Sequence, residues 1–382
     1  MPWYEDEKTK TYYFKVNYKD AEGKYKQILR RGFKTQREVK AAMAEVENDV
    51  NKGTFIKPSN TLYADYMKGW LEDKFSGLKR RTWENYANLV NKHILPEREN
   101  DSGKKVGLGR LKLESITPRH IQDLYNHLFK SNSLSDENIQ KCHTLIKDSL
   151  RQARLWNMIS ENPADLIKRP SAAKKEMQIW SMDEAQSFLK YAEGDPLYIV
   201  FLLALTTGMR QGEILGLRWK DVNKENRVIS ITQILNHDGK EFEVGAKTIS
   251  GQRPIRIDQH TMKALENHRK LGLEKRIENA DVYEDNGLVV HTKFGGPVSP
   301  RNVLRSFKRI IDKAGMKEIR FHDLRHTHVT ILIKNRETPQ AIAERMGWSD
   351  TRMIDKYAHI RPDIQEDVAD SFGKSFYSQS AK

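Results

Sequence analysis

The sequence predicts an α+β multidomain chain. A small β-sheet-plus-helix N-terminal domain occupies residues 1–57, an all-α domain 58–165 and a linker 166–179. A mainly α domain with a small antiparallel sheet fills 180–382. Three observations predict this. Short runs of aromatic and β-branched residues open the chain and stop before Lys57-Pro58-Ser59-Asn60. Four segments with apolar residues at three- and four-residue spacing follow. Beyond Leu166–Ile179 (LIKRPSAAKKEMQI) helical patterns return, interrupted by one alternating, strand-like stretch from Asn226 to Ile257.

Composition bounds the function. At 382 residues the chain can hold two or three cores. Its 66 Lys and Arg against 52 Asp and Glu give a formal charge of +14, which favours a polyanionic partner without separating nucleic acid from an anionic membrane. The longest apolar run, Tyr198–Leu205, is too short to span a bilayer, and the polar start MPWYEDEKTK lacks the apolar core of a signal peptide. The single cysteine, Cys142, forbids an internal disulfide and leaves no Cys-rich metal site. The expectation is a chain of a reducing compartment that acts on nucleic acid, with no membrane partner.

In order, 11–18 (TYYFKVNY) and 25–31 (YKQILRR) read as strands joined by a turn at Asp20–Gly23. Thr35-x-x-Glu38 is a capping-box pattern for a helix running towards Asn51 and stopped by Gly53. From Lys8 to Lys40 eleven Lys and Arg face three Asp and Glu, a local excess that a solvated sheet face would also show. A basic two-stranded ribbon can nevertheless enter a major groove, with Lys15, Lys24, Lys26, Arg30 and Arg31 as its candidate DNA contacts.

Helices are expected over Thr61–Lys74, Thr82–Ile94, Thr117–Phe129 and Ser135–Ile159, with a loop or hairpin over 98–110. Tyr63, Trp70, Trp83, Tyr86, Tyr125 and Trp156 fall on the apolar stripes and read as core rather than base-stacking platforms. Lys79, Arg80 and Arg81 lead a helix, where backbone N–H groups reinforce a phosphate site. Lys174 and Lys175 belong to an exposed linker placed to lie along DNA.

In the third region Ser181 caps a helix with Asp183 and Glu184 in its first turn, and Pro196–Leu205 reads as a helix buried all round. Gly208 breaks that helix, and a new one starts at Arg210 with Glu213 on the same face. Strands follow over Arg227–Leu235, Glu241–Val244 and Arg253–Ile257, with Lys247 in the last connection. Helices return at Thr261–Arg269 and Pro300–Ala314. In FHDLRHTHVTILIKNRETPQAIAERMGWSDTRMIDKYAH, His322 and Arg325 stand one turn apart. Thr338-Pro339 opens a helix that Gly347 stops, and a short helix from Ser349 or Asp350 should carry Tyr357 at its far end.

Taken singly these signals are common: R-x-x-E is usually a surface ion pair, and a Tyr near a helix end is usually core. Together, TGMRQGEILGLRW, a Lys on a sheet turn, FHDLRH, MGWSD and Tyr357 stand in one order and resemble the tyrosine recombinase family, of the phage and conjugative-transposon integrase type. The resemblance implies an arm-type DNA-binding domain (three-stranded sheet plus helix) over 1–57, a SAM-like core-binding domain over 58–165 and a catalytic domain over 180–382. It implies a site-specific recombinase that cuts and rejoins DNA to integrate and excise a mobile element through a 3′-phosphotyrosyl link.

The chemistry needs these residue types. Tyr357 would be the nucleophile. Arg210 and Arg325 can hold the non-bridging phosphate oxygens bidentately, as Lys cannot. A phenol of pKa near 10 is only about 0.1% ionised at neutral pH, so His322 is the candidate base or hydrogen-bond partner. Lys247 resembles the family's general acid, with Lys240 as its rival. Trp348 stands where the family carries His or Trp and can donate but not titrate. Glu213 would orient Arg210. No metal or other cofactor is expected, because two guanidinium groups supply the charge a metal supplies elsewhere. His291, His326, His328 and His359 lack metal-ligand spacing; His326 and His328 read as structural or phosphate contacts.

The partners implied are core-type and arm-type attachment sites, a homo-tetramer on DNA, a host DNA-bending protein and an excisionase. The implied location is the bacterial cytoplasm, at the nucleoid. Ile364, Val368 and Phe372 hint at a tail helix that docks on a neighbouring subunit or folds back on its own. Competing readings are a type IB topoisomerase, a non-catalytic DNA-binding regulator and an RNA-binding protein, the last without an RNP-type motif.

Overall fold

Aromatic and β-branched residues, which favour extended backbone, build the first sheet. Strands β1 (Trp3–Asp6), β2 (Thr11–Lys19) and β3 (Tyr25–Phe33) pair antiparallel in that order. Phe14 and Val16 point to one face and are fully buried against Val39 and Val46 of helix α1 (Gln36–Asn51). Thr35 accepts the Glu38 N–H at 3.2 Å, while the Glu38 carboxylate accepts the Lys34 N–H at 2.9 Å. The computed structural model describes residues 2–19, 24–51, 60–172, 177–244, 253–360, 369–370, 372–373 and 376. The turn at Asp20–Gly23 and most of the tail, with Ile364 and Val368, lie outside the described residues. The chain divides into two compact units, Met1–Lys174 and Lys175–Lys382.

The first unit continues with α2 (Tyr63–Phe75) and α3 (Arg80–Leu89), which runs into a π-helical turn over Val90–Ile94. The ribbon β4 (Arg98–Glu99) with β5 (Lys105–Val106) follows, then α4 (Pro118–Lys130) and α5 (Asp136–Leu155). Tyr63, Trp70, Leu124, Tyr125 and Ile146 share one core. The Tyr66 hydroxyl donates to the Ser149 carbonyl at 2.6 Å, and the Tyr63 hydroxyl lies 2.7 Å from the Ser149 hydroxyl. These bonds let two phenols be buried. Two expectations are corrected here. Helix α5 ends at Leu155 rather than Ile159, because Asn157 takes a left-handed φ of 56°. Trp156, at that end, is 50% exposed rather than core.

The second unit is ordered around α7 (Tyr198–Thr207), apolar on every side and buried between α6 (Met182–Ala192) and the elements after it. Ser181 and Glu184 form the reciprocal cap at the start of α6. Trp180, Phe188, Phe201, Phe307 and Phe321 meet edge-on and tilted in its core. After α8 (Gln211–Leu215) come β6 (Val222–Asn223), β7 (Val228–Ser230), β8 (Gln233–Leu235), β9 (Phe242–Val244) and β10 (Pro254–Arg256). The expected single strand over 227–235 is two: β7 joins the sheet β10-β7-β6, while β8 pairs with β9. The break falls where the Ile231 N–H bonds the Arg253 carbonyl but Thr232 instead accepts from Arg218. Helix α9 (Gln259–Glu278), capped by Asp258, runs past the expected Arg269. Helices α10 (Pro300–Ala314), α11 (Asp323–Lys334) and α12 (Pro339–Met346) follow. Tyr357 then sits in a 3-10 segment, Thr351–Ile360, not in an α-helix. Among the described residues no helix is long and apolar enough to cross a membrane.

Candidate active site

Two helix ends set the site. Helices α7 and α12 both stop at left-handed glycines, Gly208 (φ 66°) and Gly347 (φ 64°), leaving carbonyls without helical partners. Arg325, on α11 and 4% exposed, donates to the Gly208 carbonyl at 2.5 Å and to the Met346 carbonyl at 2.6 Å. The negative ends of two helices thus hold one buried guanidinium. A Cβ at Gly208 would lie 2.6 Å from the Met346 methyl and 2.8 Å from the His328 ring, at a left-handed φ that strains any side chain. Burial first, then Arg210, lowers the Arg325 pKa to about 9, with Glu213 opposing; the group stays cationic at neutral pH.

Arg210 begins α8 two residues on, with a side chain 44% exposed. Glu213 accepts both its backbone N–H at 2.8 Å and its guanidinium at 2.7 Å. The Glu213 carboxylate is itself only 4% exposed and needs more cation than a half-exposed Arg supplies. Arg253, equally buried, provides it at 3.2 and 3.4 Å and donates to the Arg345 carbonyl at 2.7 Å. Burial alone would raise the Glu213 pKa, but Arg253 and Arg210 outweigh it and hold it below the ordinary carboxylate value. Arg345 in turn donates to the Thr206 and Arg256 carbonyls, both at 3.0 Å, and to His328 Nε2 at 3.1 Å. His328 Nδ1 lies 2.7 Å from the Leu205 carbonyl, so its proton is assigned to Nδ1. Sequence reasoning missed Arg253 and Arg345. Nothing in the sequence marks Glu213 as buried, so the need for a second cation was not legible there.

His322 caps the start of α11 with its ring open to solvent on one side. Partial burial, then His326, Arg325 and Arg210, push its pKa down to about 4, so it is neutral at pH 7. Tyr357 is 2% exposed and packs with Val329, Ile342 and Met346. Its ring lies 6.4 Å from that of Trp348, which also lies under the Arg325 guanidinium at 5.9 Å. Burial raises the phenol pKa to about 12 against the pull of Arg325. The hydroxyl is hydrogen-bonded to His326 Nδ1, not to His322. His326 follows His322 by one turn on α11, with ring centroids 5.2 Å apart and edge to face, and that turn faces the Tyr357 segment.

The second unit therefore gathers Arg210, Glu213, His322, Arg325, Trp348 and Tyr357. Lys247 lies outside the described residues, as do Lys174 and Lys175. Lys240 is exposed at the turn between β8 and β9. In the first unit, the candidate DNA contacts divide between two sheet faces. Lys15, opposite Leu29, shares the open face with Arg31, which covers Tyr13 at 5.6 Å beside the Tyr4–Tyr13 stack. Arg30 and Lys26 pair with Phe14 and Tyr18, on the face that α1 covers; Lys24 is exposed just before β3. Lys79, Arg80 and Arg81 are exposed at the start of α3, where Arg80 pairs with Glu84 at 3.0 Å. Among the described residues no group of His, Cys, Asp and Glu is arranged to hold a metal ion.

Three family models match the chain: the Arm DNA-binding domain over residues 2–50, the phage integrase N-terminal SAM-like domain over 62–129 and the phage integrase family over 180–363. A tyrosine recombinase XerC-like protein of Caldanaerobacter subterraneus subsp. tengcongensis is 25% identical, over 94% of each chain. The ICEBs1 integrase of Bacillus subtilis is 27% identical over 76% of this chain and 77% of its own. Among solved structures, the Tn1549 transposon integrase in complex with transposon right end DNA matches with TM-score 0.66 and 21% identity, covering 82% of this chain and 100% of that one. A lambda integrase tetramer bound to a Holliday junction matches with TM-score 0.55 and 16% identity, over 92% and 97%. The chain belongs to the phage integrase family of tyrosine recombinases, and it is a DNA strand breaking-and-rejoining site-specific recombinase.

Proposed function

We propose that the chain is an integrase that integrates and excises a phage or mobile element through a 3′-phosphotyrosyl intermediate on Tyr357. The observation that carries this reading is the convergence of Tyr357, Arg325, Trp348, His322 and Arg210 in one unit, with Arg325 beside the buried phenol and Arg210 near enough to act on Arg325 and His322. In the step proposed, the Tyr357 oxygen bonds to phosphorus as the bond to the 5′-oxygen breaks. The phenol proton passes to a histidine, and the leaving oxygen takes one from Lys247. Negative charge spreading over the non-bridging oxygens meets Arg210 at the surface and the field of Arg325 just beneath it. Glu213 keeps Arg210 in place. Trp348 donates to a phosphate oxygen and packs against the nucleophile. The new ester conserves the bond energy, so rejoining needs no nucleotide.

Core-type DNA would lie against the second unit and the cations that lead α3, and arm-type DNA against the sheet of residues 1–57. Linked binding of two site types raises avidity without new contacts. Four copies would act together in the bacterial cytoplasm, at the nucleoid, with a host DNA-bending protein and an excisionase setting direction. The test uses nicked, end-labelled duplexes built from DNA adjoining the chain's own coding sequence. An SDS-resistant adduct with the wild-type chain, absent with Tyr357→Phe, is expected. Strand exchange between paired sites then separates an integrase from a relaxing topoisomerase. Sequence-specific binding with no adduct would refute the reading.

A further inference from the structure

A buried phenol must give its proton to something, and the acceptor in place is not the histidine that the motif singles out. Tyr357 is 2% exposed and its hydroxyl is bonded to His326 Nδ1. For Nδ1 to accept, the ring proton must sit on Nε2, leaving Nδ1 a lone pair aimed at the reacting oxygen. We propose that His326 is a catalytic residue, the general base that takes the Tyr357 proton as the phenol oxygen attacks phosphorus.

The step balances. The O–H bond of Tyr357 breaks as an N–H bond forms on His326 Nδ1 and an O–P bond forms on the phenol oxygen. The P–O5′ electron pair leaves with the 5′-oxygen, which is protonated by Lys247. His326 becomes an imidazolium with protons on both nitrogens and returns one to the phenol on religation. Among the described residues, the charged and titratable groups around the pair include His322 just before α11, Asp323 and Arg325 on it, Arg210 at the start of α8, and Tyr357 itself. Asp323 is already bound by Arg320 at 2.8 and 3.0 Å, so it does not compete for the proton. Arg325 favours the phenolate, which makes the transfer easier. His322, one turn earlier and open to solvent, is then left to donate to a phosphate oxygen. The two histidines divide the work the motif gives to one.

The inference rests on Tyr357 being the nucleophile. Single-turnover cleavage of the nicked duplex would be followed from pH 6 to 10 for wild type, His326→Asn and His326→Leu. Asn keeps an acceptor near the Nδ1 position but cannot take a proton; Leu removes both. Each variant should bind the duplex as tightly as wild type and cleave about 10²- to 10³-fold more slowly at pH 7. The rate of His326→Asn should climb close to tenfold per pH unit as phenolate forms without help. A 5′-bridging phosphorothiolate, whose sulfur leaves without a proton, should not rescue either variant. Wild-type rates in both variants, a loss uniform across pH, rescue by the phosphorothiolate, or faster cleavage would each overturn the assignment while leaving the proposed function standing. No adduct from the wild-type chain at any pH would remove both.

Discussion

Glu213 is the residue whose replacement separates positioning from chemistry. Its carboxylate lies between Arg210, 44% exposed, and Arg253, 4% exposed. Glu213→Gln keeps the shape and removes the charge, which takes from the buried Arg253 cation the carboxylate it bonds at 3.2 and 3.4 Å. Breaking a buried pair from one side costs about 3–5 kcal/mol, whereas the half-exposed partner contributes at most about 1 kcal/mol. The loss in stability should therefore come mainly through Arg253. For a unit of this size that is a fall on the order of 10 °C in Tm, at about 2–4 °C per kcal/mol. Arg253→Met should also destabilise, but Glu213→Gln with Arg253→Met should cost about 1–3 kcal/mol less than the sum. Calorimetry of the four chains gives the cycle, and hydrogen exchange in α8 and β10 locates it. The Glu213 pKa is held below its unfolded value, so its stabilisation is present above about pH 4.3 and is lost as pH falls through the folded value. Wild type and Glu213→Gln should converge in acid. A cost below about 1 kcal/mol, or strict additivity, would refute the reasoning.

Gly208→Ala forces a side chain into a left-handed turn and against Met346 and His328; cleavage should fall at least about 10²-fold as the Arg325 acceptor shifts, with a stability loss of about 1–3 kcal/mol. His328 is buried with its pKa lowered to about 3, so the unfolded chain binds the extra proton first: stability should decline by up to about 1.4 kcal/mol per pH unit below pH 6.5, and His328→Leu should flatten that decline in urea titrations. Arm-type binding should weaken steeply with salt. Lys15→Ala and Arg31→Ala on the open sheet face should each reduce the log–log salt slope by about 1, and Arg30→Ala, on the covered face, should not; a flat salt response would refute the basic-face assignment.

What could be read along the chain was local or chemically distinctive. Ser181, Thr338 and Pro300 mark helix starts where backbone N–H groups need partners, and Gly208 and Gly347 mark ends where only glycine turns left-handed without strain. The order of Arg210, the His322–Arg325 pair, Trp348 and Tyr357 carried the family resemblance, and phosphoryl transfer admits few side chains in the roles that the resemblance implies. Boundaries were less legible. The strand expected over 227–235 divides between two sheets, since alternation reports exposure and not pairing partner. The 3-10 segment under Tyr357 shares its apolar spacing with a short α-helix.

The sequence by itself determined the classes of residue and the order of elements from neighbours a few positions apart, and the reaction type from the order in which the motifs between Thr207 and Tyr357 stand. The tertiary structure alone decided that Arg253 answers Glu213, that two helix ends answer Arg325, and that Tyr357 meets His326 rather than His322. A buried charge or hydroxyl must be satisfied, but by whichever group the fold brings within about 3 Å. Sequence distance says nothing about which group that will be.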